Sequence, residues 1–183
     1  MPAGFVEGII EHTGTAPKRR SLRLPGFDYS THGAHFITIC TQDHVRLLGE
    51  FDAEMLRVSA AGEMIGRWWR EIPNKFGSAA CDAFVVMPDH THGILWLNQT
   101  EAVEPMNLMR VVAWFKTMTT NEYIRHVRDD DWPRFERRLW QRSYFDHVVR
   151  DQRSLDRLMT YIDENPLRRH LVHTEDDLRA ASE

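Results

Sequence analysis

The chain has 183 residues, a net charge of −4 and 42% hydrophobic residues. These values are typical of one soluble globular domain and exclude an intrinsically disordered chain. Taken as an average, the negative charge argues against a nucleic-acid-binding protein. The two cysteines, Cys40 and Cys81, lack CxxC spacing, so neither a disulfide scaffold nor a zinc ribbon is expected. Because no apolar run reaches the roughly 20 residues of a membrane helix and the first residues do not form a signal peptide pattern, we expect a cytoplasmic protein.

The sequence predicts one folded domain with a short segment at each end. Residues 1–16 are predicted to be an N-terminal arm, residues 17–173 the domain, and the acidic residues 174–183 a C-terminal tail. The domain is predicted to begin with a basic cluster formed by Lys18, Arg19, Arg20 and Arg23.

The predicted elements alternate strands and helices without a regular βαβ repeat. Runs rich in β-branched and aromatic residues predict strands over 34–41, 47–51, 55–58, 83–87, 90–97 and 144–149. Apolar residues at helical spacing predict helices over 59–72, 108–127 and 152–164. Ser59 is the expected N-cap of the first helix, with Pro73 ending it and Pro166 ending the last one. This order predicts an α+β sandwich, with a mostly antiparallel sheet and helices packed on one face.

Two histidines, His90 and His92, lie two residues apart on a predicted strand. Side chains at i and i+2 of a strand point to the same face, so both imidazoles should project together. Two neighbouring imidazoles suit a divalent metal ion and leave positions open for water or a substrate oxygen. The alternative is a pair of surface histidines on a polar strand face.

Tyr161 and Asn165 are four residues apart on the last predicted helix and should share a face. The apolar residues of that helix are expected largely on the other side; they are Leu155, Leu158, Met159 and Ile162. Packing for the tyrosine and a helix-end role for the asparagine are the alternatives to a catalytic function. Tyr144 is a second candidate tyrosine.

Arginine is strongly favoured over lysine, with 20 Arg against 3 Lys, and seven of these arginines lie between residues 134 and 157. Arginine makes planar contacts with phosphate, and aromatic residues in the same segment could stack on bases, as in proteins that bind single-stranded nucleic acid. A solvated face with intrahelical ion pairs is the alternative. Residues 17–42 carry four cations and one anion, and residues 132–173 carry nine and six. Two basic segments are therefore hidden in the negative total, and together they could steer a polyanion.

Several motifs resemble one family in combination. The stretch MPDHTHGILW at 87–96 resembles the signature of HUH single-strand transposases with one catalytic tyrosine. LWQRSYFDHVVRD at 139–151, followed by YIDENPL at 161–167, resembles the REP-associated tyrosine transposases. RRSLRLPGFDYS at 19–30 and FKTMTT at 115–120 fit the same pattern, so the resemblance covers about residues 18–172.

The resemblance implies a ferredoxin-like α+β sandwich with the histidines on a central strand and the tyrosine on a helix beside it. It implies that His90, His92 and Asn165 hold Mg²⁺ or Mn²⁺ and that Tyr161 is the nucleophile. The middle residue of the histidine motif, normally hydrophobic, is Thr91 here. It should point away from the histidines, at some cost in packing and none to the metal ligands.

The implied activity is metal-dependent cleavage and rejoining of single-stranded DNA next to hairpins through a 5′-phosphotyrosine, by a monomer or a homodimer. The residues expected to contact DNA are Lys18, Arg19, Arg20, Arg23, Arg137, Arg138, Arg142, Tyr144 and Arg150. Two other functions remain open. One is a domesticated hairpin-binding protein without strand transfer, and the other is a metal-dependent hydrolase with a water nucleophile.

Overall fold

The computed structural model describes residues 33–52, 55–98, 107–130 and 132–167. The predicted N-terminal arm, the basic cluster at residues 18–23 and the acidic tail lie outside these ranges. Among the described residues, none of the helices combines the length and apolar composition that crossing a membrane requires.

An antiparallel sheet forms the centre of the described structure, and its four strands lie in the order β4-β5-β1-β6. The strands are β1 (Gly33–Cys40), β4 (Ala79–Val86), β5 (His90–Leu97) and β6 (Phe145–Val149). A separate hairpin pairs β2 (Gly49–Asp52) with β3 (Met55–Val58). The helices are α1 (Ala60–Arg70), α2 (Ile72–Lys75), α3 (Leu108–Asp129) and α4 (Gln152–Glu164). Without the hairpin, the order β1-α1-β4-β5-α3-β6 and this strand arrangement make a ferredoxin-like α+β sandwich, which confirms the predicted fold class.

Helices cover both faces of the sheet, whereas the sequence pattern predicted one covered face. Alternate residues of β1 divide between two cores: Ile37 and Ile39 face a larger core with α1 and α3, while Ala34 and Phe36 face a smaller core with α4. The amphipathic pattern of a helix shows that it has a buried face but not which side of the sheet it covers. The position of α4 on the second face was therefore not predicted.

Local signals located the element ends well, with two differences. Ser59 caps α1 as predicted, because its side chain accepts a hydrogen bond from the backbone N–H of Gly62. Pro73 does not simply stop that helix: α1 ends at Arg70, and the proline lies in the first turn of α2, where a missing N–H costs little. β4 begins at Ala79 rather than residue 83, because an irregularity between Cys81 and Phe84 shifts its register and lets the earlier residues pair with β5.

Candidate active site

The two histidines lie together on β5, which is paired on both edges. His92 faces Thr38 on β1 and Val85 on β4 across the strand pairs. Both imidazoles are buried, at 9% exposure for His90 and 2% for His92, and their Nε2 atoms are 3.1 Å apart. The predicted shared face is therefore present, and the alternative of two surface histidines is wrong.

The other ring nitrogen of each histidine has its own partner. Nδ1 of His90 lies 2.6 Å from Oδ1 of Asp89, and Nδ1 of His92 lies 2.8 Å from Oγ1 of Thr38. An ionised carboxylate only accepts hydrogen bonds, so Nδ1 of His90 carries a proton, and in the neutral ring Nε2 then presents a lone pair. The hydroxyl of Thr38 can accept as well as donate, so it also permits the tautomer of His92 in which Nε2 is unprotonated.

The electrostatics of the site keep His92 neutral. Burial lowers the pKa of His92 well below the ordinary 6.5, and the nearby His90 acts in the same direction against an opposing effect of Asp89. Neutral imidazole is the form that binds metal ions. Two converging Nε2 lone pairs on buried, oriented rings therefore fit the donor set for a divalent cation.

Further ligands would have to come from other groups. Within the described parts of the chain, no cluster of three or more His, Cys, Asp or Glu side chains is arranged to hold a metal ion. An amide oxygen, water or a substrate oxygen would complete the coordination of a hard cation such as Mg²⁺. Asn165 carries such an amide, is 3% exposed, and lies one turn after Tyr161 at the end of α4.

Tyr161 lies against the histidine pair, with its hydroxyl 3.5 Å from Nε2 of His92. The ring of Phe36 stacks on His92 at 5.4 Å with an interplanar angle of 20°, and it meets the ring of Tyr161 edge-on at 6.1 Å. Phe36 thus fixes the phenol and the imidazole relative to each other. Tyr161 itself is only 7% exposed.

The face of α4 that carries Tyr161 differs from the prediction. Tyr161 and Asn165 share a face as expected, but the buried leucines and isoleucine of the helix are on that face rather than opposite it. At 100° per residue, positions 161 and 165 fall beside 158 and 162, so one broad face packs on the sheet. These residues are Leu155, Leu158, Tyr161, Ile162 and Asn165.

Tyr144 lies on the other side of the sheet. It directly precedes β6, packs against the larger core, and has the ammonium of Lys116 5.5 Å from its ring centroid. It therefore does not compete with Tyr161 for contact with the histidines. Thr91 also faces away from them, as predicted, because it is buried and pairs with Ile39 and Val86 of the larger core.

Three of the predicted DNA-contacting arginines line a common cleft of about 420 Å³, next to the end of β1. The cleft residues are Gln42, Asp43, Arg137, Arg138, Gln141, Arg142 and Ser143. Residues 137–143, which carry these arginines, are anchored by the buried Leu139 and Trp140. Lys116 also donates hydrogen bonds to the carbonyl oxygens of Gln141 and Ser143.

Among the described residues, two further predicted DNA contacts, Tyr144 and Arg150, are not part of the lining of this cleft. Arg150 is exposed but follows Val149, which pairs with Ala34 at the start of β1, so Arg150 lies at the far end of β6. Lys18, Arg19, Arg20 and Arg23 lie outside the described residues.

Sequence reasoning missed the residues that orient the histidines. Asp89 directly precedes His90 and could have been recognised from this adjacency. Thr38 and Phe36 are more than fifty residues away from His92 along the chain, and only the pairing of β1 with β5 brings them close. His44 was missed in the same way; its Nδ1 lies 3.4 Å from Oδ2 of Asp89.

The chain is similar to one known family and to several known proteins. The family model described as "Transposase IS200 like" matches residues 34–165. An uncharacterized protein of Haemophilus influenzae is 30% identical over 159 residues, covering 81% of this chain and 88% of that protein. A second Haemophilus influenzae protein, provisionally named a REP-associated tyrosine transposase, is 24% identical over 163 residues, covering 82% and 79%.

A solved structure of a REP-associated tyrosine transposase bound to a REP hairpin shares the fold. It superposes with a TM-score of 0.56 at 18% identity, covering 82% of this chain and 76% of that chain.

Proposed function

The chain belongs to the IS200-like transposase family, and on that premise we propose that it cuts and rejoins single-stranded DNA next to hairpins through a bond between Tyr161 and a 5′ phosphate. The observation that carries this proposal is the 3.5 Å separation between the hydroxyl of Tyr161 and Nε2 of His92. This contact places a tyrosine, a residue type that can act as a nucleophile, next to a histidine, a residue type that can bind a metal ion, on the same face of the sheet.

His90, His92 and the amide of Asn165 would hold Mg²⁺ or Mn²⁺. When bound, such an ion polarises the scissile phosphate and offsets charge that develops on its oxygens. The protein's own contribution is orientation: Asp89 and Thr38 fix the two imidazoles from behind, and Phe36 fixes His92 against Tyr161.

The chemical step proposed for Tyr161 is a phosphoryl exchange. Its phenolic oxygen forms a bond to phosphorus as the bond to the 3′ oxygen breaks, and the strand leaves with a free 3′-OH. One phosphodiester replaces another, so no nucleotide cofactor is needed to reverse the step with a second 3′-OH. A phenol, with an ordinary pKa of about 10, is a better leaving group than an alcohol, which favours the rejoining step.

The arginine cleft supports a DNA substrate. Arg137, Arg138 and Arg142 are exposed and close to one another, an arrangement that suits successive phosphates of a strand. The choice of hairpin DNA is supported by the solved relative, which is bound to a REP hairpin.

Formation of a covalent adduct tests the proposal. The full chain is incubated with Mn²⁺ and labelled single-stranded hairpin oligonucleotides, and adducts are separated on a denaturing gel. Wild type and Tyr144→Phe should form a protein–DNA adduct, whereas Tyr161→Phe should form none while still binding the oligonucleotide.

Other outcomes identify the alternatives. Cleavage without an adduct that tolerates Tyr161→Phe would indicate a hydrolase with a water nucleophile. Salt-dependent hairpin binding without any metal-dependent cleavage would indicate a DNA-binding protein that lacks strand transfer. An adduct with Tyr161→Phe but not with Tyr144→Phe would refute the assignment of the nucleophile.

A further inference from the structure

A strained turn lies beside the histidine pair. Asp43 and His44, at φ values of 55° and 54°, are consecutive residues in the left-handed region. This conformation is unfavourable for residues other than glycine because Cβ crowds the following carbonyl, although aspartate tolerates it better than most. Such strain is retained where the surrounding structure uses it.

The turn aims the imidazole of His44 at two partners. Its Nδ1 lies 3.4 Å from Oδ2 of Asp89, and its Nε2 lies 3.2 Å from Nε2 of Gln141. An amide nitrogen is a donor only, so Nε2 of His44 accepts from Gln141 and its Nδ1 carries the hydrogen that faces Asp89. The other oxygen of Asp89 accepts from Nδ1 of His90 at 2.6 Å.

The backbone ties the turn to the same aspartate. The N–H of Thr41 donates to the carbonyl oxygen of Asp89 at 2.8 Å, and the Thr41 hydroxyl lies 2.9 Å from that oxygen and from the carbonyl oxygen of Val45. Thr41 is fully buried. The residues before and after His44 are therefore fixed with respect to Asp89, so the imidazole has a defined direction of approach.

We propose that His44 is a positioning residue for the metal site. It holds the carboxylate of Asp89, which in turn fixes the tautomer and orientation of His90. Nε2 of His90 then stays beside Nε2 of His92, where the two atoms could hold a cation together. This inference rests on the proposed function, because it takes His90 and His92 as metal ligands.

Two glycine variants separate strain from function. His44→Gly and Asp43→Gly each relieve the backbone strain at one of two adjacent left-handed residues. His44→Gly also removes the contact with Asp89, whereas the side chain of Asp43 makes an exposed contact with Gln42. Mn²⁺ affinity of the full chain is measured by titration calorimetry without DNA, and thermal unfolding is measured in EDTA. Both variants should unfold at or above the wild-type temperature. Because His44 contacts Asp89 rather than a ligand histidine, His44→Gly should weaken Mn²⁺ binding measurably, but by less than the roughly tenfold that loss of a direct partner of a metal ligand costs. Asp43→Gly should bind Mn²⁺ as wild type does.

A third variant tests rescue. Asn tolerates the left-handed conformation and its amide can donate to Asp89, so His44→Asn should recover part of the lost affinity. Equal Mn²⁺ affinity of His44→Gly and Asp43→Gly would overturn this inference alone. If wild type itself bound no Mn²⁺, the metal site of the proposed function would fail, and the positioning role with it.

Discussion

Gly93 follows His92 on β5 and lies against a pair of stacked aromatic rings, Trp69 and Phe84, so replacing it with alanine should destabilise the protein strongly. A Cβ at this position would lie 2.6 and 2.7 Å from two ring carbons of Trp69 and 2.8 Å from Cδ2 of Phe84. Ordinary van der Waals contact begins at 3.4 Å, so both rings would have to move by more than half an ångström.

Neither ring can move alone. Trp69 and Phe84 stack with centroids 4.4 Å apart and an interplanar angle of 11°, and Trp69 also meets Phe115 edge-on. Overpacking a rigid core costs typically 1–3 kcal/mol, and with two coupled rings we expect about 3 kcal/mol. For a domain of this size, each kcal/mol lowers Tm by roughly 2–4 °C, which gives a decrease of about 6–12 °C for Gly93→Ala.

Gly66→Ala is the matched control, because it adds the same methyl group without a steric clash. Gly66 lies inside α1, and the nearest atom to a Cβ there is Nη1 of Arg70 at 3.8 Å. Alanine is favoured over glycine within a helix by roughly 0.5–1 kcal/mol, so Tm should rise by about 1–4 °C. Both variants are compared with wild type by circular dichroism at 222 nm. A Gly93→Ala protein that melts within 2 °C of wild type would refute the steric reasoning.

Three further predictions test the orientation of His92, the cap of α4 and the arginine cleft. Thr38→Val removes the hydroxyl partner of the buried Nδ1 of His92, so it should lower the free energy of unfolding in urea by about 1–3 kcal/mol and weaken Mn²⁺ binding. Thr38→Ser keeps the hydroxyl and should leave Mn²⁺ binding unchanged. Asp151 caps α4 by accepting a hydrogen bond from the N–H of Ser154, and this bond lowers the pKa of Asp151 below its ordinary 3.8. The cap therefore stabilises the fold above pH 3.8, and this stabilisation is lost as the pH falls through the folded-state pKa. The amount by which Asp151→Ala lowers Tm should accordingly shrink below pH 3.8, and an unchanged difference would contradict the capping role. Arg142→Ala should reduce the slope of log affinity against log salt for a single strand by about 0.7, the value for one lost phosphate contact, and an unchanged slope would remove Arg142 from the binding surface.

The sequence determined most elements of the fold because their signals are local. The residue types along 90–97 predicted a strand, on which His90 and His92 fall on one side, and Ser59 marked the start of α1. The side of the sheet that α4 covers could not be read in this way, because it depends on the packing of Phe36 and Ile94.

The residues of the candidate site also differ in whether a local sequence pattern reveals them. His90, His92 and Tyr161 were recognisable from spacing and resemblance, whereas Thr38 and His44 contact the histidines or Asp89 only through the pairing of distant segments. No local pattern distinguishes either from an ordinary strand threonine or a surface histidine. The arginine cleft is an intermediate case: its composition was evident, but the separation of Arg150 from it required the register of β6 on β1.

The division of the structure into two cores determines which substitutions can test the chemistry. Tyr161 belongs to the smaller core, where its ring contacts Phe36 and His92, so this face combines packing with the proposed reaction. Truncating Tyr161 to alanine would leave a cavity beside His92 and confuse loss of the phenol hydroxyl with movement of α4. Phenylalanine retains both ring contacts and removes only the hydroxyl that lies 3.5 Å from His92. Loss of the adduct in Tyr161→Phe, with an unchanged Tm and unchanged Mn²⁺ affinity, would therefore assign the chemistry to that oxygen atom rather than to the packing around it.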